Sequence, residues 1–172
     1  MSKSLGTGVD PLELVEKYGA DATRFGIIWQ AMGGQDIRWD EAAVMAGKKF
    51  ANKIWNASRF VLGRIGSPST GSGANYPLSA ASPSEAESKG DNKLIVIPNP
   101  KTAADKQIIK ALQQTKKAVE KLILKYEFGQ ALHTAYDFFW HEFCDVYLEA
   151  SKTQQDENTN AILLHVLLES LK

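Results

Sequence analysis

The sequence predicts an all-α protein, mainly a helical bundle, and three observations carry that expectation. Apolar residues recur at helical spacing through most of the chain. Helix start and stop signals bracket those stretches. One aromatic-rich stretch is apolar almost all round, as a central helix must be. The chain has 172 residues and 44% hydrophobic content, enough to bury a genuine core.

Asp10-Pro11 opens the first helix. An Asp N-cap accepts from orphan backbone N–H groups, and Pro at the first helical position gives up only a surplus donor. This helix is expected from Pro11 to about Tyr18, with Gly19 as its stop. A second, from about Asp21 to Met32, carries Phe25, Ile28, Trp29 and Met32 at helical spacing and ends at Gly33-Gly34. "QDIRW" then reads as a short extended connection.

Asp40 with Glu41 begins the best-marked element, a helix of about 25 residues that ends at Gly66. Ala43, Phe50, Ile54, Ala57, Val61 and Ile65 share one face and are assigned to the core. The opposite face gathers Lys48, Asn52, Trp55, Asn56 and Arg59, a mixture of cation, amide and indole rather than the usual Glu/Lys solvent face, with Phe60 at its edge.

Between Ser67 and about Thr102 the composition turns to Ser, Gly, Ala, Asn and Pro, and the stretch holds five of the six prolines. Such a segment buries too little apolar surface to offset its ordering entropy and is expected to be a linker. Its one β-branched run, "KLIVIP", could add a short strand or pack on the bundle. Three more helices follow. Residues 103 to 126 put Ile108, Ile109, Leu112, Val119, Leu122 and Ile123 on one side, with Lys106, Lys110, Lys117 and Lys121 aligned on the other. Residues 128 to 151 form the aromatic-rich central helix, and residues 158 to 172 are amphipathic with the pattern still running at Lys172.

Composition narrows the function. No apolar run approaches the roughly 20 residues that span a bilayer, and no apolar signal segment opens the chain, so a cytoplasmic, membrane-free protein is expected. The single cysteine, Cys144, excludes an internal disulfide framework. Lys and Arg balance Asp and Glu at 20 each, so any RNA contact must come from a local patch; no DNA partner is expected.

Each cluster has a plain structural reading. His141, Cys144 and Asp145 fall at i, i+3 and i+4, but no second cluster has ligand spacing, so they are read as buried structural groups and no metal is expected. His133 and His165 are read as satisfied structural histidines. "GTG" at Gly6 to Gly8 is a turn, too short for a phosphate fingerprint. The Lys106 to Lys121 stripe reads first as a solvated face and second as one that meets phosphate. Two readings stay open for the Trp55 face. Another helix covers it, with Asn52 and Asn56 satisfying buried backbone, or it recognises single-stranded RNA. In the second case bases stack on rings or guanidinium planes and offer edges to amides while lysine meets phosphate.

Three long stretches, "MSKSLGTGVDPLELVEKYGADATRF", "GGQDIRWDEAAVMAGKKFANKIWNASRFVL" and "YEFGQALHTAYDFFWHEFCDVYLEASK", resemble in order successive segments of class I aminoacyl-tRNA synthetases of the valine, isoleucine and leucine group. "GQDIRW" leading into "FANKIWNASRFVL" favours the valyl-tRNA synthetases. The resemblance implies a KMSKS-loop and stem-contact segment over residues 1–39. It also implies an anticodon-binding α-helical bundle over residues 40–172, interrupted by the linker at 67–102. It makes Lys48, Asn52, Trp55, Asn56, Arg59 and Phe60 the tRNA-binding residues, with tRNA(Val) as the partner. Met1 to Ser4 look like the end of the KMSKS loop that closes over ATP. Lys3 matches the lysine that stabilises phosphate charge in the transition state, with Ser2 and Ser4 as further ATP contacts.

This sequence departs from the family's pattern at several places. The family places a nucleotide-binding domain, a valine pocket and an editing domain before this loop. Without those N-terminal catalytic and editing domains the chain is expected to be inactive as a ligase and to carry no cofactor of its own; ATP with Mg belongs to the whole enzyme. Gly47 and Lys48 stand where the family has tyrosine and arginine, and Gln107 stands where it has tryptophan. The alternative is a stand-alone synthetase-derived helical module that docks on a protein partner or completes a split enzyme.

Overall fold

The structure, a computed structural model, describes residues 8–33, 39–66, 99–154 and 156–172. Every regular element among them is helical: α1 (Pro11–Tyr18), α2 (Ala20–Gln30), α3 (Glu41–Gly66), α4 (Ala103–Leu124), α5 (Phe128–Asp137), a π-helical segment (Phe138–Leu148), α6 (Glu149–Ser151) and α7 (Glu157–Ser170). The strand considered for "KLIVIP" and most of "QDIRW" lie outside the described residues, as do linker residues 67–98.

Local chemistry sets the boundaries. Asp10 Oδ1 accepts from Leu12 N at 2.8 Å at the start of α1, and Gly19, with φ 93°, ends it in a conformation that an L side chain rarely adopts. Helix α2 stops at Gln30, two residues before the expected Met32. The Gln30 side chain explains the earlier stop. Its Nε2 donates back to Gly26 O at 2.8 Å while its Oε1 accepts from Asp40 N at 2.5 Å, so it ties the end of α2 to the start of α3. Asp40 in turn accepts from Ala42 N at 2.9 Å.

Helix α4 starts in a capping box between Thr102 and Asp105 and ends at Leu124 rather than 126. Glu127 N donates to Leu122 O at 2.9 Å and Tyr126 N to Ile123 O at 2.9 Å, a Schellman closure. Glycine usually takes its left-handed position, but here Tyr126 does, at φ 61°. Sequence patterning missed this stop because the usual residue is absent.

The central helix runs over the expected residues, yet eleven of them are π-helical. Its buried residues come in adjacent pairs, Phe138 with Phe139, Phe143 with Cys144, and Tyr147 with Leu148. Such pairs recurring every four to five residues fit a helix closed by i→i+5 bonds, and they place six side chains in the core where an α-helix would present a narrower stripe.

Four helical layers meet in one core. Ala57 and Val61 of α3, Ile108 and Leu112 of α4, the π-segment pairs, and Ile162, Leu163, Val166 and Leu167 of α7 form a single buried cluster. Phe50 and Ile54 pack against it from α3. Two residues expected on the inward faces of α3 and α4 are exposed instead. Ile65 is 43% exposed because Arg64 takes the inward place at that level, where its guanidinium donates to Ser151 O at 2.6 Å and Gln154 O at 2.5 Å. Ile123 is exposed because α4 is closing there. Val44, fully buried, was not expected.

Helices α1 and α2 lie against the N-terminal half of α3. The α2–α3 crossing depends on glycines. A Cβ on Gly26 would meet Val44 Cγ2 at 2.7 Å and Val44 Cα at 2.9 Å, and one on Gly47 would meet Phe25 Cδ1 at 2.8 Å. Gly47 therefore leaves no room for the tyrosine that the resemblance would place there. Lys17 Nζ and Tyr18 Oη both donate to Glu41 Oε1, at 2.8 and 2.5 Å, and join the end of α1 to the first turn of α3.

Candidate nucleic-acid interface

A 26-residue helix with one side in the core presents its other side to water, and on α3 that side holds the predicted residues. Lys48, Asn52, Trp55, Asn56 and Arg59 are all exposed. Trp55 is 62% exposed, so no helix among the described residues covers it. An indole left this open forgoes burial it could have had, and around it stand two amides and two cations with no hydrogen-bond or ion-pair partner among the described residues.

Phe60 differs from the other five. It is half-buried, packs on the core cluster, and lies 5.7 Å from the Arg64 guanidinium carbon. Two exposed apolar residues that the sequence reading passed over continue the α3 surface, Met45 at 45% and Leu62 at 59%. Leu62 lies seven residues beyond Trp55, which puts it on the same helix face; that spacing was the available signal.

The face is held in place from both ends. Gln30 and the Asp40 cap fix its start, and Arg64 fixes its end by bridging to Ser151 and Gln154. Along the flank, Lys53 sits 4.5 Å over the Trp140 ring and pairs with Asp145 at 2.9 Å, keeping the Asp145 carboxyl below the usual carboxylate range. Next to it runs a seam of half-buried rings. Phe25 stacks on Trp29 at 5.1 Å, Trp29 on His133 at 3.5 Å, and Tyr136 on Trp140 at 5.3 Å.

The polar cluster on the central helix does not converge. Cys144 is buried, and desolvation pushes its thiol up to about 11. His141 and Asp145 were expected to be buried with it but face solvent, where His141 Nδ1 lies 3.3 Å from Asp145 Oδ2. The aromatic pairs of the π segment take the inward positions and turn these two residues outward. No group of three His, Cys, Asp or Glu among the described residues could hold a metal. His133 Nε2 is 3.1 Å from Trp29 O, as a structural histidine should be. His165, expected to be satisfied, keeps a buried Nδ1 with no partner among the described residues. Ser2, Lys3 and Ser4 lie outside the described residues. No helix among the described residues is long and apolar enough to cross a membrane.

Comparison with known proteins gives a consistent result. Residues 1–40 match the tRNA synthetases class I (I, L, M and V) family, and residues 105–172 match the anticodon-binding domain of tRNA ligase family. Helix α3 lies between the two matches but shares its core with the second. A valine–tRNA ligase of Thermotoga maritima is 40% identical over 176 residues, covering 100% of this chain and 18% of that protein. One of Geobacillus stearothermophilus is 40% identical over 174 residues, covering 97% of this chain and 17% of that protein. One of Bacillus cereus is 38% identical over 179 residues, covering 100% and 18%. The chain thus spans less than a fifth of the length of the curated relatives it matches. Among solved structures, a LeuRS of Agrobacterium radiobacter K84 in a ternary complex with tRNA and LeuAMS shares the fold. Its TM-score is 0.60 at 19% identity, covering 98% of this chain and 19% of that one.

Proposed function

The chain belongs to the class I tRNA synthetases as a relative of the valine–tRNA ligases, and from that premise we propose that it binds tRNA(Val) on the anticodon side through the outward face of α3. The observation that carries this reading is Trp55, 62% exposed on the outward side of α3, with Lys48, Asn52, Asn56 and Arg59 open beside it. A single-stranded loop offers what these groups can use: ring faces for the indole, base edges for the amides, and phosphates for the cations. Phe60 contributes from the edge, where it supports Arg64 more than it meets solvent.

In the whole enzyme, the corresponding activity is ligation of valine to tRNA(Val) with ATP and Mg, and Ser2, Lys3 and Ser4 contact the ATP. Kinship with the valine–tRNA ligases supports both this and a cytoplasmic location. Neither rests on the geometry of α3.

The test is a gel-shift titration of the chain against tRNA(Val) and a second, unrelated tRNA. Arg59→Ala is expected to weaken tRNA(Val) binding by roughly 1 to 3 kcal/mol, the range for losing a stacked or charged contact. Equal affinity for both tRNAs, unaltered by Arg59→Ala, would count against the site.

A further inference from the structure

We propose that the lysine stripe on α4 is a second RNA-contact surface, which takes backbone phosphates on a side of the bundle separate from the Trp55 face. The inference rests on the tRNA-binding reading above and extends it.

Lys106, Lys110, Lys117 and Lys121 are all exposed. At about 100° per residue they fall on one arc of α4 opposite Ile108 and Leu112, which are in the core. The stripe covers about 22 Å of helix at 1.5 Å per residue, long enough to follow several phosphates. The whole chain carries no formal net charge, so this is a local concentration of cations.

Helix stability does not explain the arrangement. Lys106 with Lys110, and Lys117 with Lys121, are like charges at i,i+4, a spacing that destabilises a helix where a Glu/Lys pair would stabilise it. None of the four is ion-paired among the described residues. Their neighbour Lys116, by contrast, pairs with Glu169 of α7.

The surroundings of the stripe favour RNA over a bare polyanion. Between α4 and the π segment runs an open groove of about 370 Å³, lined by Gln107, Lys110, Gln114 and Thr115 on one wall and Glu142 on the other. The amides and the hydroxyl suit ribose and base edges. Glu142 repels phosphate and can accept from a 2′-hydroxyl, so a strand would run with its phosphates on the lysine side. Helix α3 packs chiefly on α2 and α7, and α4 on α5, the π segment and α7, so the two are not principal neighbours and the stripe does not continue the Trp55 face.

The test measures affinity of the full chain for labelled tRNA(Val) and for a second tRNA across 50 to 300 mM KCl. It compares the wild type, a variant carrying Lys106→Gln, Lys110→Gln, Lys117→Gln and Lys121→Gln, and a control carrying Lys17→Gln and Lys152→Gln. The slope of log K against log salt is expected to fall by roughly 2 to 4 in the stripe variant, following the number of phosphates released. In the control it should not change by more than about one. Preference for tRNA(Val) should survive, and far-UV circular dichroism should confirm the fold.

A stripe variant with the slope of the control overturns the proposal and leaves the lysines to an acidic protein surface or to water. A wild type without preference between tRNAs, whose slope still depends on the stripe, upholds the phosphate surface and sinks the tRNA(Val) reading instead.

Discussion

Tyr147 Oη donates a 2.8 Å hydrogen bond to Asp105 Oδ1 inside the bundle, where Asp105 is fully buried and Tyr147 is 2% exposed. The other carboxyl oxygen accepts from Thr102 N at 2.9 Å and Lys101 N at 3.1 Å. One side chain therefore caps α4 and locks it to the π segment. Tyr147→Phe strands a buried acceptor and is expected to cost about 1 to 3 kcal/mol, read as a lower midpoint in urea at unchanged m-value. Asp105→Ala should cost more, because it removes the cap as well.

The same pair predicts alkaline sensitivity. Burial, and then the Asp105 carboxyl, hold the Tyr147 phenol well above the usual tyrosine range. Above pH 10 the unfolded chain gives up that proton while the folded chain keeps it, so stability is fully present below pH 10 and falls as pH rises. One such group contributes a slope of about 1.4 kcal/mol per pH unit. Urea titrations between pH 9 and 11 should show the decline in the wild type and a shallower one in Tyr147→Phe. Equal slopes would mean that Tyr147 ionises as freely folded as unfolded.

These features mark where sequence patterning succeeds and where it stops. Caps are local, so Asp10, Gly19 and Asp40 could be placed within a residue or two from residue type alone. The Trp55 face was legible for the same reason, since helical period decides which residues share a side. The period cannot say whether a neighbour covers that side, and only packing settled that Trp55 is open while Phe60 is not. The π segment was illegible because patterning assumes 3.6 residues per turn. The Asp105–Tyr147 bond joins residues 42 positions apart, and nothing local announces such a pairing.

Cys144 offers a probe of the core. It is buried, with its thiol pushed up to about 11 from an ordinary value of 9, chiefly by desolvation. Only the thiolate attacks a disulfide reagent, so the shift alone slows labelling about 100-fold at pH 8, before any shielding. A native chain that reacts with an aromatic disulfide as fast as the urea-unfolded chain would show the π segment opening freely.

Tyr126 predicts a gain in stability. A bulky residue held at φ 61° carries steric strain of about 1 to 2 kcal/mol that glycine would not. Its ring is 81% exposed and contributes little beyond an edge contact with Phe128 at 6.0 Å. Glycine also has more unfolded-state freedom to lose, so Tyr126→Gly should stabilise the chain by up to about 1 kcal/mol, seen as a raised thermal midpoint.

Trp55→Ala separates folding from binding on α3. At 62% exposure the indole gives the folded state little, and the substitution should change the unfolding free energy by no more than about 0.5 kcal/mol. A base stacked on that indole would lose about 1 to 3 kcal/mol of binding. Gly26→Ala predicts the opposite sequence of effects. Its new Cβ would press on the Val44 backbone at 2.9 Å, so the α2–α3 crossing must shift and stability should fall by about 1 to 3 kcal/mol. Any loss of RNA affinity in that variant should then follow its stability as temperature is lowered, whereas the loss in Trp55→Ala should persist at every temperature where the chain is folded. If the two variants lose affinity in parallel across temperature, the Trp55 indole acts through the fold of α3 and not through contact with a base.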